Sequence, residues 1–241
     1  MFVRSLFFIS IFFLSTFTIF AKPSVCLNMI VKDETAVLPR CFDSVKPLID
    51  YWVIVDTGST DGTQELIKQY LKDIPGELHE RPWVNFGVNR TEALLLAKDK
   101  ADFILIMDAD DWLEYEKGAQ FPILEKDVYQ MWRGSENFSY LIPQLIRSSL
   151  PWKWVGVLHE YLCCGLPYSS EILQGFKYIQ TVEGSRSQDP QKYWKHVQIL
   201  QEELQKEPNN KRYVFYLAES YRDAGDLANA IIWYKKRTEM G

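Results

Sequence analysis

The stretch FILIMDADDW, Phe103 to Trp112, decides how this chain is read. Phe103 to Met107 are five apolar residues in a row, and such a run predicts a short strand buried on both faces. It stops abruptly at Asp108, Asp110 and Asp111, so three carboxylates stand at the carboxyl end of a core strand. Open α/β sheets bind ligands at that edge, and crowded carboxylates repel one another unless a cation or a donor network offsets their charge. The plain alternative is a loop and helix start capped by acids.

Upstream, the same arrangement recurs. Val25 to Val31 (VCLNMIV) predicts a first strand closed by Lys32, Asp33 and Glu34, followed by a helix-like segment that Pro39 perturbs in its first turns. Tyr51 to Val55 (YWVIV) predicts a second strand that runs into DTGSTDG, Asp56 to Gly62. There the small residues permit a tight turn, and Ser59, Thr60 or Asp61 can cap a helix carrying Leu66, Ile67, Tyr70 and Leu71 at helical spacing. Glu77 to Glu80 reads as a short third strand and Asn85 to Lys100 as an amphipathic helix. Strands alternating with helices argue for an α/β fold with a largely parallel sheet and helices on both faces. Asp56 and Asp108 then lie on one sheet edge, where they can share a ligand.

Downstream, from Leu113 to Gly184, periodicity weakens, with strands expected at Tyr140 to Ile146 and Trp154 to Leu158. The aromatic stretch around Trp152, Trp154, His159 and Glu160 either lines an acceptor pocket or packs over the sheet edge. Beyond Asp189-Pro190 the pattern is helical. Leu217, Ala218, Tyr221, Gly225, Ala230 and Tyr234 fit the small and large positions of a tetratricopeptide repeat, against a plain helical hairpin as the alternative. Gln191 to Lys206 reads as the closing helix of a preceding repeat. So short an array cannot bury its own face, so it leans on the first domain, pairs with another copy or begins a longer array. The expected organisation is an N-terminal segment at 1–22, an α/β domain at 24–186 and a helical-repeat segment at 190–241.

Of the 241 residues, 47% are apolar and 24% charged, which describes a globular chain, and a net charge of -5 gives no footprint for nucleic acid. The four cysteines have neither zinc nor disulfide-scaffold spacing and are expected to be free, buried thiols. Arg4 followed by an uncharged apolar run, Ser5 to Phe20, reads as a secretory signal or a membrane anchor. The sequons at Asn89 and Asn137 are noted, with Asn89 expected to be unmodified.

Oxygen ligands in an open loop favour a hard cation, Mg²⁺ or Mn²⁺, which usually completes its coordination with phosphate oxygens and water. The sequence holds no GxxxxGK[ST], GxGxxG or HExxH, which counts against kinase, dehydrogenase and zinc-hydrolase readings. Cys26 to Asp33, VIVDTGSTDGT at Val53 to Thr63, and MDADD at Met107 to Asp111 together resemble family-2 glycosyltransferases of the GT-A fold. The segments HERPWVNFGVNRTEAL and WVGVLHEYL, with the closing helices, are similar to a bacterial-type subgroup in which such a transferase precedes tetratricopeptide repeats.

The resemblance implies that Asp56 contacts the nucleotide with Glu34 near the same pocket, and that Asp108 and Asp110 hold the metal on a diphosphate. It further implies that Arg90 lies by the phosphates and that His159 is a further metal ligand or phosphate contact, or else a core histidine. A carboxylate, Glu160 or Asp111, would deprotonate the acceptor hydroxyl, and inversion is implied. Expected partners are a nucleotide-sugar donor, a glycan, lipid or protein acceptor, and a protein held by the repeat. Because nucleotide sugars are made in the cytosol, a cytosol-facing membrane is the favoured location, with residues 5–20 as the anchor. A catalytically weakened binding module and a nucleotidyltransferase are the competing readings.

Overall fold

The computed structural model describes residues 22–135 and 138–241. The expected signal or anchor at the N-terminus, and Asn137, lie outside the described residues.

Four parallel strands form the first half of the sheet. They are β1 (Val25–Val31), β2 (Tyr51–Asp56), β3 (Gly76–Glu80) and β4 (Phe103–Ile106), linked by helices α1 (Leu38–Val45), α2 (Thr63–Tyr70) and α3 (Phe86–Ala97). Then follow β5 (Trp112–Tyr115), β6 (Val128–Ser135), β7 (Phe138–Arg147) and β10 (Ser170–Ile179), with β8 (Lys153–Val155) and β9 (Tyr161–Cys163) as a separate antiparallel pair. The main sheet runs β3-β2-β1-β4-β7-β6-β10-β5, and β7 joins β4 antiparallel, so the sheet is mixed.

The hydrophobic pattern explains the layering. Val25, Leu27, Met29 and Val31 point to one face, where α1 and α2 cover them through Leu38, Phe42, Val45 and Ile67. Cys26, Ile104 and Ile106 point to the other, under Leu94 and Ala97 of α3. β1 is apolar on both sides except Asn28, whose amide donates to the carbonyls of Val53 and Ala93 and so ties α3 to the strands. Pro39 falls in the first turn of α1, where its missing N–H costs nothing. Gly62, not a hydroxyl, is the N-cap of α2, but Asp61 still accepts from the N–H and hydroxyl of Thr63.

After β3 the chain crosses β1 to place β4 on its other side. The reversal opens a crevice at the carboxyl ends of β1 and β4, with Asp56 at the end of β2 and Asp108 just past β4. Two expectations change. The strand expected over Trp154 to Leu158 stops at Val155, because Gly156 and His159 take positive φ of 111° and 51° and turn the chain. The long strand β10 is unforeseen, its polar, glycine-interrupted sequence SEILQGFKYI carrying little strand signal.

Helices α4 (Lys192–Lys206), α5 (Lys211–Asp223) and α6 (Leu227–Glu239) complete the chain. They share a core of Val197, Leu200, Val214, Leu217 and Ala230 that includes Leu158 of the first unit. No described helix is long and apolar enough to cross a membrane.

Candidate active site

The crevice holds a cavity of about 560 Å³ that begins at Val31 and Thr57, passes Asp108 to Asp111, and ends against Lys192 and Ile199 of α4. At its first end, Asp56 is buried. Its Oδ1 accepts the N–H groups of Gly58 and Ser59, while Oδ2 is enclosed without a partner. The turn after β2 thus fixes a carboxylate with one unpartnered oxygen directly behind Thr57, which lines the cavity.

In the middle stands a knot of charge. Arg90 Nη2 donates to Asp108 Oδ1 at 2.5 Å, and Arg133 Nη2 reaches Asp108 Oδ2 at 3.1 Å and Asp111 Oδ2 at 3.2 Å. Arg90 Nε lies 2.8 Å from Glu160 Oε1. Burial works against the charge on Asp108, but the two guanidiniums overcome it and hold the carboxyl below the usual range. Asp111 is pushed up to about 7, by burial and then by Asp108. Its Oδ1 accepts from Thr181 N–H at 2.8 Å, so both its oxygens are engaged inside the fold. The Asp108 N–H is taken by the Tyr178 hydroxyl at 3.1 Å.

Asp110 faces elsewhere. Its Oδ2 accepts from Gly184 N–H at 2.9 Å, while Glu34 accepts from Ser185 N–H. Both carboxylates converge on Gly184, where an added Cβ would meet Asp110 Oδ2 at 3.1 Å and Glu34 Oε1 at 3.3 Å. Burial, with the Asp110 charge added, pushes Glu34 up to about 7. Two carboxylates that crowd each other at a cavity wall are a donor set that suits Mg²⁺ or Mn²⁺, ions usually held by one or two carboxylates plus phosphate oxygens. Asp110 with Glu34 fits the expected metal better than Asp108, whose charge Arg90 and Arg133 already offset.

His159 takes another place than the expected metal set. Its ring stacks on Tyr216 at 4.0 Å between centroids, and burial, Arg186 and Arg212 hold it down to about 4. Among the described residues no group of three or more His, Cys, Asp or Glu is disposed to hold an ion. The four cysteines are free, and all but Cys163 are buried.

The site therefore gathers Glu34, Asp56, Arg90, Asp108, Asp110, Asp111 and Glu160. Sequence reasoning missed Arg133, Tyr178, Arg186 and Lys192, which come from β6, β10, the 3-10 turn Ser185–Gln188 and the first residue of α4. Only the alternation of β6 offered a signal, and it does not distinguish an inward arginine from a solvent-facing one.

A mostly parallel sheet, helices on both faces, and acids at the strand ends beside one long cavity define the GT-A class of nucleotide-diphospho-sugar transferase folds. Residues 26–121 match the family model described as Glycosyl transferase family 2. A TPR repeat-containing protein of Synechococcus elongatus is 37% identical over 97 residues, covering 40% of this chain and 23% of its own length. An uncharacterized glycosyltransferase of Rickettsia felis is 32% identical over 88 residues, covering 36% and 29%. The chain thus spans about a quarter of the length of these curated relatives. Among solved structures, S. aureus TarS 1–349 superposes with a TM-score of 0.46 at 14% identity, over 83% of this chain and 72% of that one. Its complex with UDP-GlcNAc gives 0.42 at 15%, with the same coverage.

Proposed function

We propose that the chain is a glycosyltransferase that moves a sugar from a nucleoside-diphosphate donor to an acceptor hydroxyl with inversion. The observation that carries this reading is a cavity that has three features on or directly behind its wall. These are the half-satisfied Asp56 carboxylate behind Thr57, the Asp110–Glu34 pair, and the Arg90–Asp108–Arg133 knot with Glu160 at its far side. Asp56 receives an N–H or O–H of the nucleoside on its free oxygen. Arg90 and Arg133 are locked in place by Asp108, which fixes their positive fields where charge develops on the leaving oxygen. The chemistry that a bound Mg²⁺ or Mn²⁺ supplies at Asp110 and Glu34 is neutralisation of the diphosphate.

For the base, the geometry favours Glu160 over Asp111. Asp111 is enclosed and has both oxygens engaged, whereas Glu160 lines a second chamber on the acceptor side, where its contact with Arg90 Nε at 2.8 Å positions it to receive the proton. As the acceptor oxygen bonds to the anomeric carbon, its proton passes to Glu160 and the bond to the diphosphate oxygen breaks. Supply of the donor favours the cytosolic face of a membrane, with residues 5–20 as anchor.

Turnover of a panel of nucleotide sugars with Mn²⁺, for the native chain and Asp110→Ala, tests the reading. We expect release of nucleoside diphosphate from one donor, lowered on the order of 100-fold in the variant, the scale of losing one charge-stabilising group. No binding and no turnover of any donor would sink it, leaving a binding module; turnover of free nucleoside triphosphates would make it a nucleotidyltransferase.

A further inference from the structure

Beside the donor cavity lies a second chamber of about 280 Å³, which shares Arg90, Asp108, Arg133, Arg186 and Lys192 with it. Its own walls carry Trp154, Tyr178 and Gln144, with Glu160 opening onto it. Gln144 is 3% exposed and has no side-chain hydrogen bond to any described residue. On the chamber wall its amide keeps a donor and an acceptor open to a ligand that enters. Aromatic faces beside such an amide form the pattern that receives a sugar ring, with apolar stacking on the ring face and hydrogen bonds to its hydroxyls.

The charge around this chamber is unbalanced. Arg90 is matched by Asp108 and Glu160, Arg133 by Asp108 and Asp111, and Lys195 by Asp189. Arg186 and Lys192 have no salt bridge among the described residues. Arg186 lies 4.1 Å over the Phe86 ring, and its Nη2 donates to His196 Nε2 at 2.5 Å. Burial lowers Arg186 to about 10 although Glu160 and Asp108 pull it up, and burial with the Arg186 charge lowers Lys192 against the pull of Asp110 and Asp223, so the carboxylates nearby do not offset the burial of either cation. His159 and His196, the titratable groups alongside, are held neutral by the same burial and the same cations. A ligand that brings an oxyanion would relieve all of this at once.

We propose that the second chamber seats the acceptor, and that the acceptor is a saccharide bearing an anionic substituent, a phosphate or a carboxylate, gripped by Arg186 and Lys192 while Gln144 binds its hydroxyls. This rests on the glycosyltransferase reading, which places the base Glu160 at the chamber wall. The first turn of α4 thereby enters the active site, so the helical segment sets acceptor specificity besides any partner it binds.

Binding to the full chain, saturated with Mn²⁺ and the nucleoside diphosphate it binds most tightly, would be measured for methyl glucoside, glucose 6-phosphate and glucuronate. We expect at least tenfold tighter binding of the two anions, or of one of them, than of the neutral sugar. In Arg186→Gln/Lys192→Gln that preference should collapse to parity, by more than any change in nucleoside-diphosphate affinity, and Gln144→Leu should weaken every sugar alike. Equal affinity for charged and neutral sugars in the native chain would overturn the proposal. So would a double variant that loses nucleoside-diphosphate affinity tenfold while its sugar preference stands, because the pair would then serve the leaving diphosphate. If the anions bind as expected but no nucleoside diphosphate binds, the acceptor role falls with the glycosyltransferase reading and a bare saccharide site remains. Circular dichroism of each variant checks that a loss is not one of folding.

Discussion

Arg133 shows how the site depends on single groups. It neutralises Asp108 and the enclosed Asp111 at once and lies 4.9 Å over the Tyr178 ring. Removing one partner of a fully buried network costs about 3–5 kcal/mol, whereas here Arg90 still pairs Asp108 and Thr181 N–H still bonds Asp111. Asp108 is partly open to the cavity, so Arg133→Ala should lower stability by about 2–3 kcal/mol, with Arg133→Lys restoring part of it. Urea midpoints check this; a change below about 0.5 kcal/mol would show that solvent already screens the knot. At this scale the sequence exposed one side of the pairing. Asp108 and Asp110 stand out because acids end an apolar run, whereas Arg133 lies on a strand of mixed residues and its partner is 25 positions away.

Among the elements, the contact of α3 with the turn after β8 is the tightest constraint on the site, since α3 carries Arg90. A Cβ at Gly87 would lie 2.3 Å from the carbonyl oxygen of Gly156. In a free helix alanine outranks glycine by about 1 kcal/mol, so helix propensity alone would predict that Gly87→Ala stabilises the chain. The steric term reverses the sign. We expect Gly87→Ala to destabilise by at least about 2 kcal/mol and to weaken donor turnover through Arg90, while Val88→Ala, at an exposed neighbour, stays within about 0.5 kcal/mol. Thermal or urea unfolding of the two variants decides between the signs. Two residues on, Asn89 is fully buried, accepting from Val84 N–H and donating to the Pro82 carbonyl, so its sequon is closed to a glycan in the folded chain. The sequence located α3 well by its amphipathic spacing, but not its end, because Lys98 leaves the helix and Asp99 turns the chain at a φ of 65°.

Over the whole molecule, the helical segment is docked on the α/β unit. Arg212 donates to the His159 carbonyl from Nη2 at 2.5 Å, Val157 N–H donates to the Tyr213 hydroxyl at 3.3 Å, and Tyr216 stacks on His159. These contacts hold His159 in its left-handed conformation, a strained state for a residue with a Cβ. The joint contains His159 and His196, whose rings lie 6.0 Å apart and are held down to about 4 and about 3. In the unfolded chain both imidazoles protonate as pH falls through about 6.5. Below that pH the unfolded state binds more protons, so acidification should destabilise the fold by up to about 1.4 kcal/mol per pH unit for each imidazole. Glu34 and Asp111, raised to about 7, act in the opposite direction, since their folded forms keep protons that the unfolded chain has released. The contribution of His196 is therefore read from a difference. His196→Gln should be relatively more stable at pH 4.5 than at pH 7, and urea midpoints that shift in parallel with the native chain would contradict it.

Hydrophobic patterning is local, and what it controls was legible in the sequence: the parallel strands that end in Asp56 and Asp108, the helices between them, and the helical character after Pro190. Only the tertiary structure decided how the charges pair. It set Asp108 against Arg90 and Arg133, turned Asp110 toward Glu34, enclosed Asp111, and brought Arg186 and Lys192 to the rim of a chamber floored by Gln144. The physical reason is range. A strand or helix is written in residues two to four apart, whereas a charge acts on whatever the sheet order brings within a few ångströms of it, however far along the chain.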